Sequence, residues 1–372
     1  MPDARQNVGL AQVAELAGVS IATASLVLNP SNRKYKVGEG RRRKVLDAAR
    51  QLGYAPNYHA RSMKSGRAEA IGVALDHLSR AADRRFGELG SSYFGALLGA
   101  IELTARRMGH ALVILGPEAG VSAPDRGVQA VRERQLDGLI LPGVWTTPGA
   151  RRIFDDPPDV PIVGIEYTTG PTNVPVVDFD DAVGIALTVR HLAELGHREL
   201  LWLGPEQASS PTPHRREQLF MADVWEAGLR GQSCRYVRTP SPEAHPVAQI
   251  ADAAAAALGN HLREGPPRSF TAIVCYNDAT AIGAYAALAD AGLSVPRDVS
   301  VVGFDDLEAP LLHPKLTTIS HMLAEMGRKA VELLIEITQD PKARQEARGR
   351  RIPIVPELVV RQSTAPPTVR RS

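Results

Sequence analysis

The 372-residue sequence predicts a small, all-α head followed by a larger α/β body with two doubly wound parallel sheets. Three observations support this fold class. Apolar residues near the N-terminus recur with helical spacing, short apolar runs alternate with helix-like segments farther along, and charge differs between the two regions. A chain of this length exceeds one compact core, so more than one domain is expected.

Charge separates the head from the body. Residues 1–67 contain 12 Lys or Arg and 4 Asp or Glu, a formal charge of +8. The whole chain contains 43 and 41, so residues 68–372 contain 31 and 37, a formal charge of −6. A basic segment on an acidic body favours a polyanionic partner, and nucleic acid is the commonest. A solvated surface produces the same pattern, so charge alone leaves the partner open.

Two short helices are predicted at the start of the head. Two sets of apolar residues have helical spacing on either side of Gly18: Leu10, Val13, Ala14 and Ala17, then Val19, Ala24, Val27 and Leu28. Gly18 tolerates the positive φ of a tight turn, and Ser20 can cap the second helix. The pattern predicts either a helix-turn-helix, whose second helix enters the DNA major groove, or an αα-hairpin that only packs.

Short apolar runs of strand length define the body. They are AIGVALD, HALVILG, LDGLILP and VPIVGIE, followed by ELLWLGP, CRYVRTP, TAIVCYND and SVVGFDD. Helix-like segments such as YFGALLGAIELTARRMG separate them, which is typical of parallel sheets. We therefore expect two doubly wound lobes, with a ligand in the cleft at the carboxyl ends of their strands.

Motif content argues against several functional classes. The sequence contains no GxxxxGK[ST], GxGxxG, HExxH or GxSxG motif, so we expect no enzyme activity and no cofactor. Cys234 and Cys275 match no metal-ligand spacing, and no metal site is predicted. The first thirty residues lack a secretory pattern, and no apolar run approaches the roughly twenty residues of a membrane span. A cytoplasmic, nucleoid-associated protein without a membrane partner is expected.

An ordered series of motifs extends over nearly the whole chain. It includes VAELAGVSIATASLVLN, LGYAPN and ARSMKSGR in the head, and LDGLILP, LGHRELLWLGP, YNDATAIGAYAALADAGLSVPRDVSVVGFDD, PKLTTI and PELVVRQST in the body. The series resembles the lac repressor and galactose repressor family of bacterial transcription regulators. The resemblance implies a helix-turn-helix head on a periplasmic-binding-protein-like body. The alternative is a solute-binding sensor whose DNA-binding head does not function.

The implied function is that of a DNA-binding repressor. Such a protein binds a pseudo-palindromic, double-stranded operator as a homodimer and responds to a small-molecule effector, here expected to be a sugar or glycoside. The expected divisions are a head over 1–56, a hinge helix and linker over 57–68, a body over 69–363 and a disordered tail over 364–372. Crossings between lobes are expected near 172, 320 and 345, which gives an N-lobe over 69–172 and 321–345 and a C-lobe over 173–320 and 346–363.

The resemblance also implies roles for residues of the head. A third helix over 41–53, with Val45, Leu46, Ala49 and Leu52 on one face, completes its core, and Gly38 replaces the usual Ser cap. The base-reading positions are Ile21, Ala22 and Leu26, which have no side-chain donor, so readout through shape and thymine methyl groups is expected. Alternatively, Leu26 packs inward and other residues contact the bases.

Further positions are expected to contact the DNA backbone and minor groove. The phosphate-contacting residues are Ser20, Thr23, Ser25, Asn29 and Asn57. Ala60 and Met63 belong to the hinge helix, where Met63 is expected to enter the minor groove as an apolar wedge. The alternative is that Met63 covers core at the domain junction.

Effector-binding residues are expected at the ends of strands in the body. Asp76, Asn277 and Asp305 are the candidates at strand ends. The resemblance adds Arg216, which matches the family's ligand-contacting arginine, and the aromatic candidates are Tyr93, Phe94 and Trp145. Carboxylates and amides can accept from adjacent sugar hydroxyls, and aromatic rings can stack on a sugar face, although such rings are as often core. Asp278 and Asp306 are expected to cap helices, Trp202 and Trp225 to be core, and residues 77–92 to line the cleft entrance or be disordered.

Overall fold

The chain forms two compact units, Met1–Arg67 and Ala68–Ser372. The computed structural model describes residues 8–28, 37–54, 67–75, 92–118, 120–142, 148–166, 170–206, 212–236, 246–264 and 269–368. The division falls at the end of the predicted linker. The first unit corresponds to the predicted head with its linker, and the second to the predicted body.

The described part of the head is helical, with α1 (Leu10–Ala17), α2 (Ile21–Leu28) and α3 (Glu39–Gln51). Gly18 ends α1 at φ 64° and ψ 39°, a left-handed conformation that suits glycine. The chain bends by 105° between α1 and α2, as in a helix-turn-helix. Among the described helices, none alone has the length and composition of a membrane span, and α1 with α2 does so only across this bend.

Small aliphatic side chains form the core of the head. The buried members are Val13, Ala14, Ala17, Ala24, Val45, Ala48 and Ala49. The predicted inner faces of α1 and α2 supply this core, with their larger members half-buried around it. Helix α3 starts and ends two residues before its predicted bounds, and Ala48 takes the buried place expected for Leu46.

Two six-stranded sheets form the body. The first contains β1 (Ala70–Ala74), β2 (Ala111–Leu115), β3 (Gly138–Pro142), β4 (Ile162–Ile165), β5 (Val176–Phe179) and β11 (Arg351–Ile354). The second contains β6 (Glu199–Pro205), β7 (Arg230–Tyr236), β8 (Ala272–Cys275), β9 (Ser300–Asp305), β10 (Thr317–Ser320) and β12 (Glu357–Val359). Their spatial orders are β11-β5-β4-β3-β1-β2 and β12-β10-β9-β8-β6-β7. Only β10 and β12 pair antiparallel among these strands, which confirms the predicted fold class.

Helices cover both faces of each sheet. On the first sheet, α4 (Ser92–Arg107) and α11 (Leu323–Gln339) lie on one face and α5 (Ala123–Arg132) and α6 (Pro148–Asp155) on the other. On the second sheet, α7 (Asp181–Glu194) and α8 (Thr212–Glu226) lie opposite α9 (Pro246–Glu264) and α10 (Asp278–Asp290). The short α12 (Pro341–Glu346) follows α11. One apolar cluster continues from the first lobe into the second.

Strand pairing corrects two of the three predicted crossings between lobes. Strand β5 pairs with β4 and β11 pairs with β5, so both belong to the N-lobe. The chain therefore crosses after Phe179 rather than near 172, and after Ile354 rather than near 345. The middle crossing follows Ser320, close to its predicted place.

The C-terminal segment is ordered beyond the predicted start of the tail at 364. The Thr364 hydroxyl lies 3.0 Å from His191 Nε2, and the Ala365 N–H donates to Ser300 Oγ at 3.1 Å. The Thr368 hydroxyl donates to the Arg297 carbonyl. Side-chain hydrogen bonds, rather than an apolar repeat, fix residues 364–368, which is why the sequence pattern did not reveal their order.

Candidate functional site

The exposed start of α2 presents two of the three predicted base-reading residues. The Ile21 side chain is 54% exposed, and Ala22 is also exposed. Leu26, one turn later, is half-buried. The geometry keeps Ile21 and Ala22 accessible to a partner, and the assignment of all three to base contacts stays a prediction.

Hydroxyl groups line the first turn of α2. Ser20 Oγ accepts from the Thr23 N–H at 3.2 Å, as expected of a helix cap, and lies 2.9 Å from Thr23 Oγ1. Ser25 is half-buried on the same helix. The basic run Arg41–Lys44 is fully on the surface at the start of α3. Asn29, Asn57, Ala60 and Met63 lie outside the described residues.

Six side chains form a hydrogen-bonded group between the two lobes, here termed the interlobe cluster. They are Tyr93, Glu166, Asp181, Arg216, Asp305 and His321. Glu166 follows β4, Asp305 ends β9 and His321 follows β10, so three of them come from carboxyl ends of parallel strands. Helices α4, α7 and α8 supply the other three. The cluster therefore occupies the place where doubly wound sheets bind ligands.

His321 joins one carboxylate from each lobe. Its Nε2 lies 2.5 Å from Glu166 Oε1, and its Nδ1 lies 3.0 Å from Asp305 Oδ1. The Tyr93 hydroxyl donates to the other oxygen of Glu166. Because a carboxylate can only accept, both ring nitrogens of His321 donate, as an imidazolium does.

The ionisation of this group follows from its contacts. Burial acts to lower the pKa of His321, but Glu166 and Asp305 raise it to about 9. Burial acts to raise the pKa of Glu166, but the His321 charge and the hydrogen bonds from His321 and Tyr93 leave it lower than usual. Burial and the neighbouring Glu166 raise the pKa of Tyr93. Glu166 and His321 therefore form a buried ion pair that bridges the lobes.

Arg216 carries the second cation of the cluster. Its Nε donates to Asp181 Oδ1 at 2.7 Å, its Nη1 donates to the Tyr276 carbonyl at 3.1 Å, and Nη1 lies 3.9 Å from Asp305 Oδ1. The guanidinium carbon lies 3.8 Å from the ring centroid of Phe304. Burial acts to lower the pKa of Arg216, but Asp181, Tyr276 and Asp305 together outweigh burial, and the pKa is raised.

Aromatic rings surround the charged groups. The Phe179 ring lies 4.0 Å from the His321 ring, centroid to centroid, and the rings of Tyr93 and Phe304 lie at 5.4 and 6.0 Å. Phe94 is 2% exposed and packs edge-to-face on Tyr93. Carboxylates beside aromatic rings suit a ligand with hydroxyl donors and a flat apolar face.

Left-handed backbone conformations also concentrate at the cluster. Glu166, Asp305, Asp306 and Met322 have φ values of 54°, 107°, 61° and 51°. Such values are uncommon for non-glycine residues and persist where the surrounding structure imposes them. Four of the six described non-glycine residues with positive φ thus lie in or next to the cluster. This concentration is typical of functional sites.

The predicted effector residues divide into three groups. Tyr93, Arg216 and Asp305 belong to the cluster, and Phe94 packs beside it. Asn277 lies outside the cluster and caps α10, because its Oδ1 accepts from the Thr280 N–H at 2.9 Å and the Thr280 hydroxyl at 2.7 Å. Asp76 and Trp145 lie outside the described residues, as does 77–91 of the long 77–92 segment.

Three expectations next to this group were wrong. Asp278 does not cap α10, since its carboxyl group accepts from the N–H groups of Leu307 and Ala309 and from the Thr318 hydroxyl. Burial and Asp305 raise its pKa to about 8. Asp306 pairs with Arg361 at 2.6 Å. Trp202 is core at 1% exposure as expected, but Trp225, expected in the core, is 82% exposed.

Sequence reasoning missed Glu166 and His321 as site residues. Glu166 ends the run VPIVGIE in the same way that Asp76 ends AIGVALD, so the rule that selected Asp76 also selects Glu166. His321 directly follows β10, and a polar residue after a strand was again the available signal. Within the described part of the chain, no three His, Cys, Asp or Glu side chains are arranged to hold a metal ion.

Two family models match the chain. Residues 9–57 match the model described as bacterial regulatory proteins, lacI family. Residues 189–364 match the periplasmic binding protein-like domain. The first match covers the three described helices of the head, and the second covers most of the C-lobe.

Curated relatives and a solved structure extend this likeness along the whole chain. The chain is 29% identical to the HTH-type transcriptional repressor PurR of Haemophilus influenzae (strain PittEE), over 94% of this chain and 97% of that protein. It is 28% identical to the ribose operon repressor of Escherichia coli (strain K12), over 94% and 98%. A crystal structure of the lac repressor dimer bound to operator and the anti-inducer ONPF is similar with a TM-score of 0.72, at 26% identity, over 97% of this chain and 100% of that chain.

Proposed function

This chain belongs to the lacI family of bacterial regulatory proteins, and we propose that it is a repressor that binds a pseudo-palindromic operator as a homodimer. A small-molecule effector in the interlobe cleft controls this binding, and a neutral sugar or glycoside is the proposed class. The regulator acts on DNA of the cytoplasmic nucleoid. The coarser function, transcription regulation rather than catalysis, accords with the relatives named above.

The observation that carries the DNA-binding proposal is the geometry of the head. A capped α2 follows α1 after a bend of 105°, and its first residues, Ile21 and Ala22, are exposed. An exposed N-terminal turn is the part of a recognition helix that contacts base edges. The surface run Arg41–Lys44 adds the positive charge that phosphate contacts require.

The side chains at the base-reading positions define the proposed half-site. Ile21, Ala22 and Leu26 offer only apolar contact, which suits thymine methyl groups and A·T-rich shape rather than guanine acceptors. Ser20, Thr23, Ser25, Asn29 and Asn57 are proposed to hold phosphates. Ala60 and Met63 are proposed to open the minor groove at the centre of the operator.

The interlobe cluster supports the proposed effector class. Its three carboxylates and two cations sum to one formal negative charge, which disfavours a phosphorylated ligand. Asp305 and Glu166 are acceptors for hydroxyl groups, and the rings of Tyr93 and Phe179 flank them. We propose that Asp76, Phe94, Trp145 and Asn277 complete the ligand's surroundings with Arg216.

A salt titration tests the DNA-binding proposal. The purified chain should select a duplex from a random library, and its affinity should fall steeply with salt because phosphate contacts release counterions. Ile21→Ala should weaken binding about tenfold, whereas Leu16→Ala, an exposed aliphatic residue of α1, should change it less than about twofold. Effector binding without any salt-dependent DNA binding would favour the alternative, a solute sensor with a non-functional head.

A thermal-shift screen tests the effector proposal. Neutral sugars and glycosides are compared with sugar phosphates and purines, and a neutral sugar should raise the melting temperature of the body. Asp305→Asn should weaken that ligand about tenfold because it removes a charged acceptor. Asp306→Asn is the matched control, since Asp306 pairs with Arg361 and should leave affinity within about twofold. A shift only with phosphorylated compounds would contradict the proposal.

A further inference from the structure

The second unit begins at Ala68, the last residue of the predicted linker, and a buried carboxylate fixes this residue. The Ala68 backbone N–H donates to Asp137 Oδ1 at 2.7 Å. Ala68 is 3% exposed, and the Asp137 side chain is 7% exposed. Asp137 precedes β3, so a side chain of the sheet, rather than a backbone ladder, holds the point where the chain enters the body.

The residues after Ala68 are held on both sides. The Ala111 N–H donates to the Glu69 carbonyl at 2.8 Å, and the Asp137 N–H donates to the Ala70 carbonyl at 2.7 Å. Glu69 itself has φ 48°, a conformation that costs about 1 kcal/mol or more for a non-glycine residue. A strained residue persists only where its neighbours impose the conformation. The backbone of Ala68–Ala70, here termed the entry segment, is therefore fixed in one conformation.

The second oxygen of the Asp137 carboxyl group is also buried. This oxygen, Oδ2, has no hydrogen-bond partner among the described residues. His110 Nε2 lies 3.7 Å from this oxygen, and the other ring nitrogen, Nδ1, lies 3.0 Å from the Met108 carbonyl. Because that carbonyl can only accept, Nδ1 is the donor.

Helix α11 connects this place to the interlobe cluster. It starts two residues after His321 and its 17 residues extend for about 25 Å. Near its other end, the Thr338 hydroxyl lies 3.4 Å from the Asp137 carbonyl. Leu334 packs so closely on β3 that a Cβ added at Gly138, next to Asp137, would lie 2.7 Å from Leu334 Cδ1. A shift of α11 at the interlobe cluster would thus displace the start of β3.

We propose that Asp137 is a positioning residue for DNA binding: it fixes the direction in which the linker leaves the body and ties that direction to α11. The inference rests on the proposed function. It assigns to Asp137 no contact with DNA or effector. Its role is to limit the orientations of the linker before binding. Less conformational entropy is then lost when the head binds a duplex.

Two substitutions separate the hydrogen bond from the bulk of the side chain. Asp137→Ala removes the acceptor, and we expect about tenfold weaker binding of the duplex selected by the unaltered chain, with faster deuterium exchange at the Ala68 amide. Asp137→Asn keeps an oxygen for Ala68 and should bind within about threefold of the unaltered chain. If Asp137→Ala does not fold, Asp137→Thr takes its place, because the hydroxyl of threonine lies one bond closer to the backbone than the carboxyl oxygens of Asp137.

Asp298→Ala is the matched control for general loss of stability. Asp298 also accepts from a backbone N–H, that of Ser294 at 2.8 Å, but in a loop of the C-lobe. It should leave the duplex affinity within about twofold. Equal loss of affinity in Asp298→Ala and Asp137→Ala would overturn the positioning role, as would unchanged affinity in Asp137→Ala with faster exchange at Ala68.

The exchange measurement also separates this inference from the proposed function. If the unaltered chain selects no duplex, the proposed function fails. Exchange at Ala68 still reports on the hydrogen bond between the Ala68 N–H and Asp137. Equal exchange at Ala68 in the unaltered chain and in Asp137→Ala would show that the carboxylate fixes nothing. Faster exchange in Asp137→Ala and protection in Asp137→Asn is the expected pair of results.

Discussion

The head and the body bury different kinds of side chain. Every buried side chain in the described part of the head belongs to Ala or Val. The described part of the body also buries charged and polar groups, among them Glu166, Asp181, Arg216 and His321. The polar side chains in the described part of the head are exposed or half-buried. The buried groups of the body lie inside, where other groups of the protein or a ligand must satisfy them.

The two units should therefore be sensitive to different kinds of substitution. A buried charge that loses its partner keeps its full desolvation cost, so single substitutions in the body should have large effects. A core of Ala and Val contributes little per side chain, and surface caps contribute about 1 kcal/mol or less. Single substitutions in the head should therefore change stability less than substitutions of buried charges in the body.

The largest effect is expected from Asp181→Ala. The substitution leaves the Arg216 guanidinium buried, with the Tyr276 carbonyl and the more distant Asp305 as its acceptors. We expect the free energy of unfolding of the body to fall by about 3–5 kcal/mol. Calorimetry of the full-length chain, following the transition of the body, measures this loss.

An exposed ion pair of the same unit provides the comparison. Lys342 and Glu346 lie 3.7 Å apart with side chains 83% and 68% exposed. Glu346→Ala should cost no more than about 0.5 kcal/mol because solvent screens the pair. Similar losses in Asp181→Ala and Glu346→Ala would remove burial as the cause of the contrast.

Two buried histidines should make the stability of the body depend on pH in opposite directions. The pKa of His321 is raised from 6.5 to about 9, so the native state holds an extra proton between these values. Its stabilisation is complete below pH 6.5 and is lost as pH rises through about 9. Burial lowers the pKa of His197, so its contribution is present above pH 6.5 and is lost as pH falls.

Substitution isolates each contribution. The stability difference between the unaltered chain and His321→Gln should shrink by up to about 3 kcal/mol between about pH 6 and about pH 10. His197 lies among Thr271, Ser300 and the Ala365 carbonyl, so His197→Gln should cost about 1–3 kcal/mol at neutral pH and reduce the sensitivity to acid. Urea unfolding at several pH values measures both. The same pH slope in both variants would contradict the opposite assignments.

Sequence periodicity predicted the fold because burial has a regular spacing. Residues of α1 such as Val13, Ala14 and Ala17 repeat every three or four positions, and runs such as β3 and β4 are apolar throughout. The crossings near 172 and 345 were wrong because lobe membership depends on which strand pairs with β5. That pairing leaves no local pattern in the sequence.

The candidate site could be predicted only in part, for a related reason. Asp305 was identified from a strand end, Arg216 from the family resemblance, and Tyr93 as an aromatic residue able to stack on a sugar. Glu166 and His321 interact across 155 residues of sequence, and nothing local specifies such a contact. Asn277 and Asp278 are adjacent polar residues, and only the structure shows that Asn277 caps α10 while Asp278 holds a neighbouring loop.

In the head, Ser20→Ala should have an intermediate effect. Ser20 Oγ accepts from the Thr23 N–H, and its loss leaves the first turn of α2 without that cap. We expect a loss of about 1 kcal/mol, measured by deuterium exchange of the α2 amides. Thr104→Ala, which removes a hydroxyl bonded to the Ala100 carbonyl within α4, is a hydroxyl-loss control in the body and should not change exchange in α2. A loss as large as that of Asp181→Ala would erase the contrast between the units.

The smallest effect, and the only gain, is expected from Gly38→Ser. Gly38 occupies the cap position of α3 at φ −56° and ψ 142°, a conformation open to any residue, and makes no side-chain hydrogen bond. A Cβ there meets nothing within 4 Å, so serine fits without strain and can accept from a free N–H of α3. The gain should be a few tenths of a kcal/mol, seen as slower exchange in α3. Faster exchange would mean that the glycine is required at this cap, and the head would then be less tolerant of surface changes than its aliphatic core implies.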